Sequence, residues 1–247
     1  MGNVETAPSP PAAGSARCEM QVHRFAGLLS DMDGTLVDST RAIIKHWHKI
    51  ARELQVDPEV ILATSHGRRS IDTLRLYDTE RATWEYVLTI EGQIPHEFGQ
   101  DAETVPGARE LLLALDKDKG RWAIVTSGTR PLIHGWLAVL NLAHPAHLVS
   151  AEDVEHGKPD PACYQLGRAR LGLAPDAAVL VLEDAPAGVR SAKAAGCSVV
   201  ALTTTHDARQ LRDAGADWIV RDLQEVTLRG CDVKTGDMIV EIRPCAE

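Results

Sequence analysis

Two aspartates stand two positions apart in a short polar run, Asp31-Met32-Asp33-Gly34-Thr35, which closely follows apolar residues. Negative charges at this spacing repel one another, so the pair requires a cation or a shared proton. Carboxylate oxygens with no cysteine or histidine at ligand spacing favour Mg²⁺ over Zn²⁺. Glu183-Asp184 follows a second apolar run and could supply the remaining side of the same cation site.

Hydroxyl and ammonium groups occur in two further loops that could bind an anion. Thr126 and Ser127 follow an apolar run, with Gly128 behind them. A hydroxyl group and exposed backbone N–H groups ahead of a helix form a suitable anion site. Lys158 precedes another helical pattern and offers a point charge for a phosphate oxygen. Each motif alone could be a turn, a helix cap or a solvated side chain, but the four together indicate one site.

The elements that must position these loops alternate between short apolar runs and helical patterns. The predicted strands are Phe25 to Leu29, Trp122 to Val125, Ala178 to Leu182 and Val199 to Leu202, with an edge strand at Trp218 to Val220. The predicted helices are Gly107 to Leu115, Pro131 to Leu140, Pro161 to Leu171 and Ala187 to Ala195. This alternation is typical of a parallel sheet covered on both faces, and the carboxyl ends of such strands meet at one edge. The predicted fold class is therefore α/β, with a Rossmann-like parallel sheet.

One long segment departs from the alternation. Residues 39–104 have no strand pattern, and Ile43, Trp47, Ile50 and Leu54 recur at helical spacing. We therefore predict a helical insertion at 39–104, an α/β core made of 23–38 and 105–247, and a flexible tail at 1–22, where prolines and small residues prevail. The largely apolar run from Met238 to Ile242 predicts a terminal strand or hairpin.

Composition excludes several classes of protein. The 247 residues include 26 Lys and Arg against 35 Asp and Glu, a net charge of −9, which argues against nucleic-acid binding. The five cysteines form no CxxC pair and are expected to be reduced thiols. No apolar run approaches the roughly 18 residues of a membrane span. We therefore expect a cytoplasmic monomer whose partner is a small molecule rather than a nucleic acid or a membrane.

The four motifs, from Asp31-Met32-Asp33-Gly34-Thr35 to Glu183-Asp184, resemble those of the haloacid-dehalogenase-like (HAD) hydrolases. The resemblance spans roughly Phe25 to Val220, and the insertion after the first motif resembles that family's helical C1-type cap. The similarity is closer to the fungal glycerol-3-phosphate phosphatases and 2-deoxyglucose-6-phosphate phosphatases. The stretches that carry it are Ser65 to Arg69, Glu91 to Pro95, Trp122 to Arg130 and Leu182 to Gly188.

The resemblance implies an Mg²⁺-dependent phosphatase that hydrolyses a small phosphorylated polyol or sugar through an aspartyl-phosphate intermediate. The leading candidate substrate is glycerol 3-phosphate. Asp31 would be the nucleophile, and Asp33 would protonate the leaving alcohol and then activate water. Thr126, Ser127 and Lys158 would hold the phosphoryl oxygens. The cation ligands would be Asp31, the Asp33 carbonyl and Asp184. Glu183 would contact these ligands and not the cation itself.

Substrate choice would depend on the insertion, where His66, Arg68 and Arg69 lie on a glycine-containing loop. The resemblance favours Arg69 as the residue that contacts substrate. Two positions depart from the pattern of the glycerol-phosphate enzymes: Arg68 stands where an aromatic residue is expected, and Asp38-Ser39 stands where more apolar residues are expected. Glu91 could be a hinge or a helix cap. Three alternatives stay open: a 2-deoxyglucose-6-phosphate type of sugar phosphatase, a sugar phosphomutase on the same scaffold, and an inactive scaffold used for protein binding.

Overall fold

A computed structural model describes residues 19–65 and 67–244 of the chain. Its strands are β1 (Gln21–Phe25), β2 (Gly27–Ser30), β3 (Val37–Asp38), β4 (Glu103–Thr104), β5 (Trp122–Val125), β6 (His147–Val149), β7 (Val179–Glu183), β8 (Ser198–Leu202), β9 (Trp218–Val220), β10 (Val226–Cys231) and β11 (Met238–Ile242). Its α-helices are α1 (Thr40–Leu54), α2 (Pro58–Ser65), α3 (Ser70–Tyr77), α4 (Trp84–Phe98), α5 (Ala108–Lys117), α6 (Arg130–Val139), α7 (Ala162–Arg170), α8 (Pro186–Ala194) and α9 (Ala208–Asp213).

The central sheet has six parallel strands in the order β6-β5-β2-β7-β8-β9. Its inner strands are apolar along their length because both faces are covered. Leu28 and Ile124 lie in the apolar cluster on one face, and Leu29 and Val181 lie in the cluster on the other. The predicted α/β class is confirmed, and the predicted edge strand at Trp218 is β9.

The strand order decides where the chemistry gathers. Strand β2 lies between β5 and β7, and all three run in the same direction. The loops at their carboxyl ends therefore meet at one edge of the sheet. These loops contain the Asp31 motif, the Thr126 motif and Asp184.

Helices α1 to α4 all lie within 39–104, the segment predicted to be a helical insertion, and they have an apolar cluster of their own around Trp47, Leu74 and Val87. The two ends of the insertion are joined, because β3 pairs with β4 in an antiparallel ladder. Helix α4 packs against α6 of the core. A Cβ atom added to Gly135 would lie 2.5 Å from Cγ of Pro95, so only glycine permits this approach.

A second sheet joins the two ends of the described chain. Strands β1, β11 and β10 pair in that order, and both pairings are antiparallel. The terminal hairpin predicted around Met238 is confirmed. Gln21 and Val22, which we assigned to the tail, belong to β1; residues 1–18 lie outside the described part of the chain. None of the helices in the described part has the length and apolarity that crossing a bilayer requires.

Candidate active site

Lys158 stands at the centre of a buried ion cluster at the edge of the sheet. Its Nζ lies 2.5 Å from Oδ1 of Asp31 and 2.6 Å from Oε1 of Glu183. Burial alone would lower the pKa of Lys158, but the charges of Asp31 and Glu183 outweigh that effect and raise it above its ordinary value. The lysine therefore stays charged and holds one oxygen of Asp31 in place.

Glu183 is held by donors on both oxygens. Oε1 accepts from the Tyr164 hydroxyl at 2.7 Å as well as from Lys158, and Oε2 accepts the backbone N–H groups of Asp184 and Ala185. Helix α8 begins close against this carboxylate. A Cβ atom on Gly188 would lie 1.7 Å from Oε1, so only glycine leaves room for Glu183. Both oxygens of Glu183 therefore already accept hydrogen bonds from groups of the protein.

Asp184 faces the same cluster from the end of β7. Thr35 Oγ1 donates to its Oδ1 at 3.2 Å, and Thr205 donates to its Oδ2. Burial, and then the charge of Glu183, raise the pKa of Asp184 to about 7. Burial likewise raises the pKa of Asp31 well above its ordinary value, although Lys158 opposes the shift.

These acids fit a divalent cation. One carboxylate oxygen each from Asp31, Glu183 and Asp184 lies within 4.8 Å of the others, and all three residues are buried. Lys158 supplies one positive charge against three carboxylates, and the charge of Glu183 adds to burial in raising the pKa values of Asp31 and Asp184. A cation would relieve that excess, and hard oxygen ligands are those that Mg²⁺ prefers. The cluster therefore has the charge and the donor atoms of a metal site.

Asp33 is oriented by two donors on a single oxygen. Its Oδ1 accepts from Ser39 Oγ at 2.6 Å and from Trp136 Nε1 at 3.0 Å. Burial raises its pKa, and the two hydrogen bonds oppose that rise. Sequence reasoning noticed Ser39 only as a departure from a pattern and missed Trp136, because an indole in a helical apolar pattern has the signature of a core residue.

Thr126 and Ser127 lie at the carboxyl end of β5, as predicted. The Thr126 hydroxyl accepts from the N–H of Gly128 at 3.1 Å, which fixes the turn. The Ser127 hydroxyl donates to the carbonyl of Gly67 at 2.9 Å and so joins this loop to the helical insertion. Both residues face the cavity between the core and the insertion.

That cavity brings together most of the residues predicted for the site. Asp31, Asp33 and Asp184 line its floor, and Arg68 is an exposed residue of its wall. The full lining also includes Gly34, Ser39, Thr40, Ile43, Trp47, Ser65, Gly67, Ser70, Glu91, Thr126, Ser127, Gly128, Leu132 and Thr205. His66, the third residue predicted to contact substrate, lies outside the described residues.

Arg69 has a different position from the one expected. Its side chain is buried, and it pairs with Asp72 through contacts of 2.7 and 3.0 Å. The same guanidinium donates to the backbone carbonyls of Val154 and Glu155 in the core at 2.9 and 3.1 Å. These acceptors occupy the N–H groups of the Arg69 guanidinium, and Arg69 thereby joins the insertion to the core. Of the two arginines, Arg68 is the one that lines the cavity.

Glu91 on α4 makes a second junction between the insertion and the core. Its carboxylate accepts from Ser70 Oγ at 2.5 Å and from the N–H of Thr129, which precedes α6, at 2.7 Å. Burial raises its pKa to about 7, against the effect of these two donors. Of the two roles expected for Glu91, a hinge or a helix cap, the contact with Thr129 corresponds to a helix cap. The capped helix is α6 of the core and not a helix of the insertion.

Comparison with known proteins agrees with this architecture. The sequence model of the haloacid dehalogenase-like hydrolase family matches residues 28–202, which include all four motifs. The chain belongs to this family. Glycerol-1-phosphate phosphohydrolase 1 of Saccharomyces cerevisiae is 36% identical over 218 residues, or 85% of this chain and 87% of the relative. 2-deoxyglucose-6-phosphate phosphatase 1 of the same yeast is 37% identical over 221 residues, or 81% of this chain and 89% of the relative.

A solved structure resembles the chain over most of its length. A hydrolase from Pseudomonas syringae has a TM-score of 0.68 at 26% identity, covering 80% of this chain and 94% of its own. The family predicted from the sequence is confirmed. The predicted enzyme class, a phosphoric monoester hydrolase, is also confirmed, because the yeast relatives are named phosphatases of this family.

Proposed function

We propose that the protein is an Mg²⁺-dependent phosphatase of small phosphorylated polyols or sugars, with glycerol 3-phosphate as the first candidate substrate. The observation that carries the proposal is the pairing of Asp31 and Asp33 at the end of one strand. Asp31 is bound by Lys158 and lies beside Asp184, whereas Asp33 is held by neutral donors. Two carboxyl groups in such different environments can perform different steps of one reaction.

In the first step, an oxygen of Asp31 attacks phosphorus as the ester P–O bond breaks, and a phosphoryl group is transferred to Asp31. Lys158 binds Oδ1 of Asp31, which leaves Oδ2 as the attacking atom. Asp33 donates its proton to the departing alkoxide, so the first product leaves as a neutral alcohol. In the second step, Asp33 takes a proton from water and the hydroxyl oxygen attacks phosphorus. The bond between phosphorus and the oxygen of Asp31 breaks, which regenerates the Asp31 carboxylate and releases inorganic phosphate.

Charge must be balanced around the phosphoryl group. The N–H groups near Ser127 and the Thr126 hydroxyl, which line the cavity, would bind its oxygens, and Lys158, which binds Asp31, would be the third group to do so. Mg²⁺, held by Asp31, the Asp33 carbonyl and Asp184, would neutralise part of the negative charge that develops on those oxygens. The local positive charge is needed because the chain as a whole carries −9 and repels anions.

Arg68 supports the choice of a small polar substrate. It is exposed, and it lines the same cavity as Asp31 and Asp33. The N–H groups of its guanidinium can bind the hydroxyl groups of a polyol or sugar. The names of the two yeast relatives give the two classes to test, a glycerol phosphate and a hexose phosphate.

The decisive experiment measures inorganic phosphate released from both enantiomers of glycerol phosphate, from 2-deoxyglucose 6-phosphate and from several hexose phosphates. We expect release that requires Mg²⁺ and is fastest for one small polyol or sugar phosphate. The matched control is Asp31→Asn, which keeps the size of the side chain and removes the nucleophile. Release that persists in this variant, or no release from any substrate, contradicts the proposal. Transfer of labelled phosphoryl groups to a second sugar without free phosphate indicates a mutase instead.

A further inference from the structure

Trp136 makes a contact with the reaction centre that its position in the sequence does not suggest. Its side chain is completely buried in α6, and its Nε1–H donates to Oδ1 of Asp33, which is 103 residues away in the chain. The indole N–H is the only polar group of this side chain, and an unpaired buried donor costs free energy. The contact therefore fixes the indole and the carboxyl group relative to each other.

The second donor to Oδ1 is less specific. Ser39 Oγ lies 2.6 Å from the same oxygen, but a hydroxyl group can either donate or accept. Alone, Ser39 would permit a proton on Oδ1, because its oxygen could accept that proton. The indole N–H can only donate, and the carbonyl oxygen of a carboxylic acid is a stronger acceptor than its hydroxyl oxygen, so this contact favours Oδ1 as the carbonyl oxygen. The acid form of Asp33 then carries its proton on Oδ2.

The position of Oδ2 gives this proton a direction. A Cβ atom placed on Gly128 would lie 3.6 Å from Oδ2 and the same distance from Oγ1 of Thr126. Oδ2 therefore faces the loop Thr126 to Gly128, which lines the cavity where a phosphoryl group is expected. A proton on this oxygen would therefore lie on the side of Asp33 that faces this loop.

We propose that Trp136 is a positioning residue for proton transfer, which keeps Oδ1 of Asp33 an acceptor and directs the acid proton through Oδ2 to the leaving group. The proposal rests on the proposed function. Without the indole, Ser39 alone holds the carboxyl group, and part of the population has its proton on the wrong oxygen. The chemical step with a poor leaving group then slows, while binding of the substrate is unaffected.

The test compares leaving groups that need the proton with one that does not. An alcohol must be protonated as it leaves, whereas 4-nitrophenolate is a stable anion and leaves with little help. For Trp136→Phe we expect kcat/KM to fall about 10-fold to 100-fold on the best alkyl phosphate, which is at or below the lower end of the roughly 10²-fold to 10⁴-fold that a general acid contributes, because the acid is misdirected and not removed. On 4-nitrophenyl phosphate we expect a fall of less than about 3-fold. The ratio kcat/KM includes only steps up to release of the first product, so slow hydrolysis of the aspartyl-phosphate does not disturb it.

Trp122 provides a matched control in the same chain. It is also a buried tryptophan, and its Nε1–H also donates to an aspartate, Asp116, at 3.1 Å, but this pair is remote from the cavity. Trp122→Phe removes a comparable hydrogen bond and leaves both activities unchanged. If Trp136→Phe does not fold, the benzothiophene analogue of tryptophan at position 136 replaces N–H by sulfur at nearly constant shape.

The outcomes separate the two proposals. Wild-type protein that releases no phosphate from any ester refutes the proposed function, and the role of Trp136 falls with it. Wild-type protein that hydrolyses both kinds of ester supports the function, and the variants then test Trp136 alone. Equal losses on alkyl and aryl phosphates indicate a structural role and overturn the inference, as does the absence of any loss.

Discussion

Replacement of Glu91 by glutamine should stabilise the protein, and should do so only above mildly acidic pH. The carboxylate is fully buried between α4 and α6 and accepts from Ser70 and from the N–H of Thr129. A glutamine keeps both partners, because its carbonyl can accept from Thr129 and its amide can donate to the Ser70 hydroxyl. The variant therefore removes a titrating charge while it leaves the packing nearly unchanged.

The magnitude follows from the pKa of Glu91. In the folded protein it is raised from 4.5 to about 7, chiefly by burial. Between these two values the unfolded chain has lost the proton and the folded protein has kept it, so stability falls as pH rises through this window. Each pKa unit corresponds to about 1.4 kcal/mol, so the full cost above pH 7 is about 3 kcal/mol. Below pH 4.5 both states are protonated and the cost disappears.

Urea unfolding at pH 5 and pH 8 measures this effect. The stability gained by Glu91→Gln should be about 2 to 3 kcal/mol larger at pH 8 than at pH 5. Other acids of the site, including Asp184, also titrate in this range, but they are common to both proteins and cancel in the difference. Glu97→Gln is the control, since Glu97 lies on the same helix in a partly exposed pair with Lys49. A gain that does not change with pH would show that Glu91 is not a buried, desolvated acid.

Three further changes test the ion cluster. Asp31→Asn should reduce turnover to below about one thousandth of wild type, because it removes the nucleophile. It should not lower the Tm of the metal-free protein, because it also removes one of the crowded negative charges. A clear loss of stability would contradict this. Asp184→Asn should abolish the rise in Tm that Mg²⁺ causes in wild-type protein, and an unchanged rise would exclude Asp184 as a ligand. Gly188→Ala should destabilise the protein by about 3 kcal/mol in urea, because its Cβ would overlap Glu183, and a near-neutral effect would mean that the carboxylate can move.

The placement of Arg68 and Arg69 illustrates where prediction from sequence stops. The two residues are adjacent on one loop, and both were predicted to contact substrate. The side chain of Arg69 turns towards the carbonyls of Val154 and Glu155, whereas Arg68 lines the cavity. Adjacent residues of an irregular loop have no periodicity that predicts their directions. The orientation depends on how the insertion lies against the core, which is a property of the packed structure.

The sequence by itself determined the α/β core and the gathering of Asp31, Thr126 and Asp184. Apolar runs that alternate with helical patterns predict a parallel sheet, and the topology of such a sheet brings the carboxyl ends of its strands together whatever the details of packing. The tertiary structure alone decided the contacts of Trp136 with Asp33 and of Glu91 with Thr129. These pairs are far apart in the chain, and each depends on the rotation and depth of a helix against its neighbour. A pattern of apolar residues defines which face of a helix is buried, but not which polar atom within that face meets a partner.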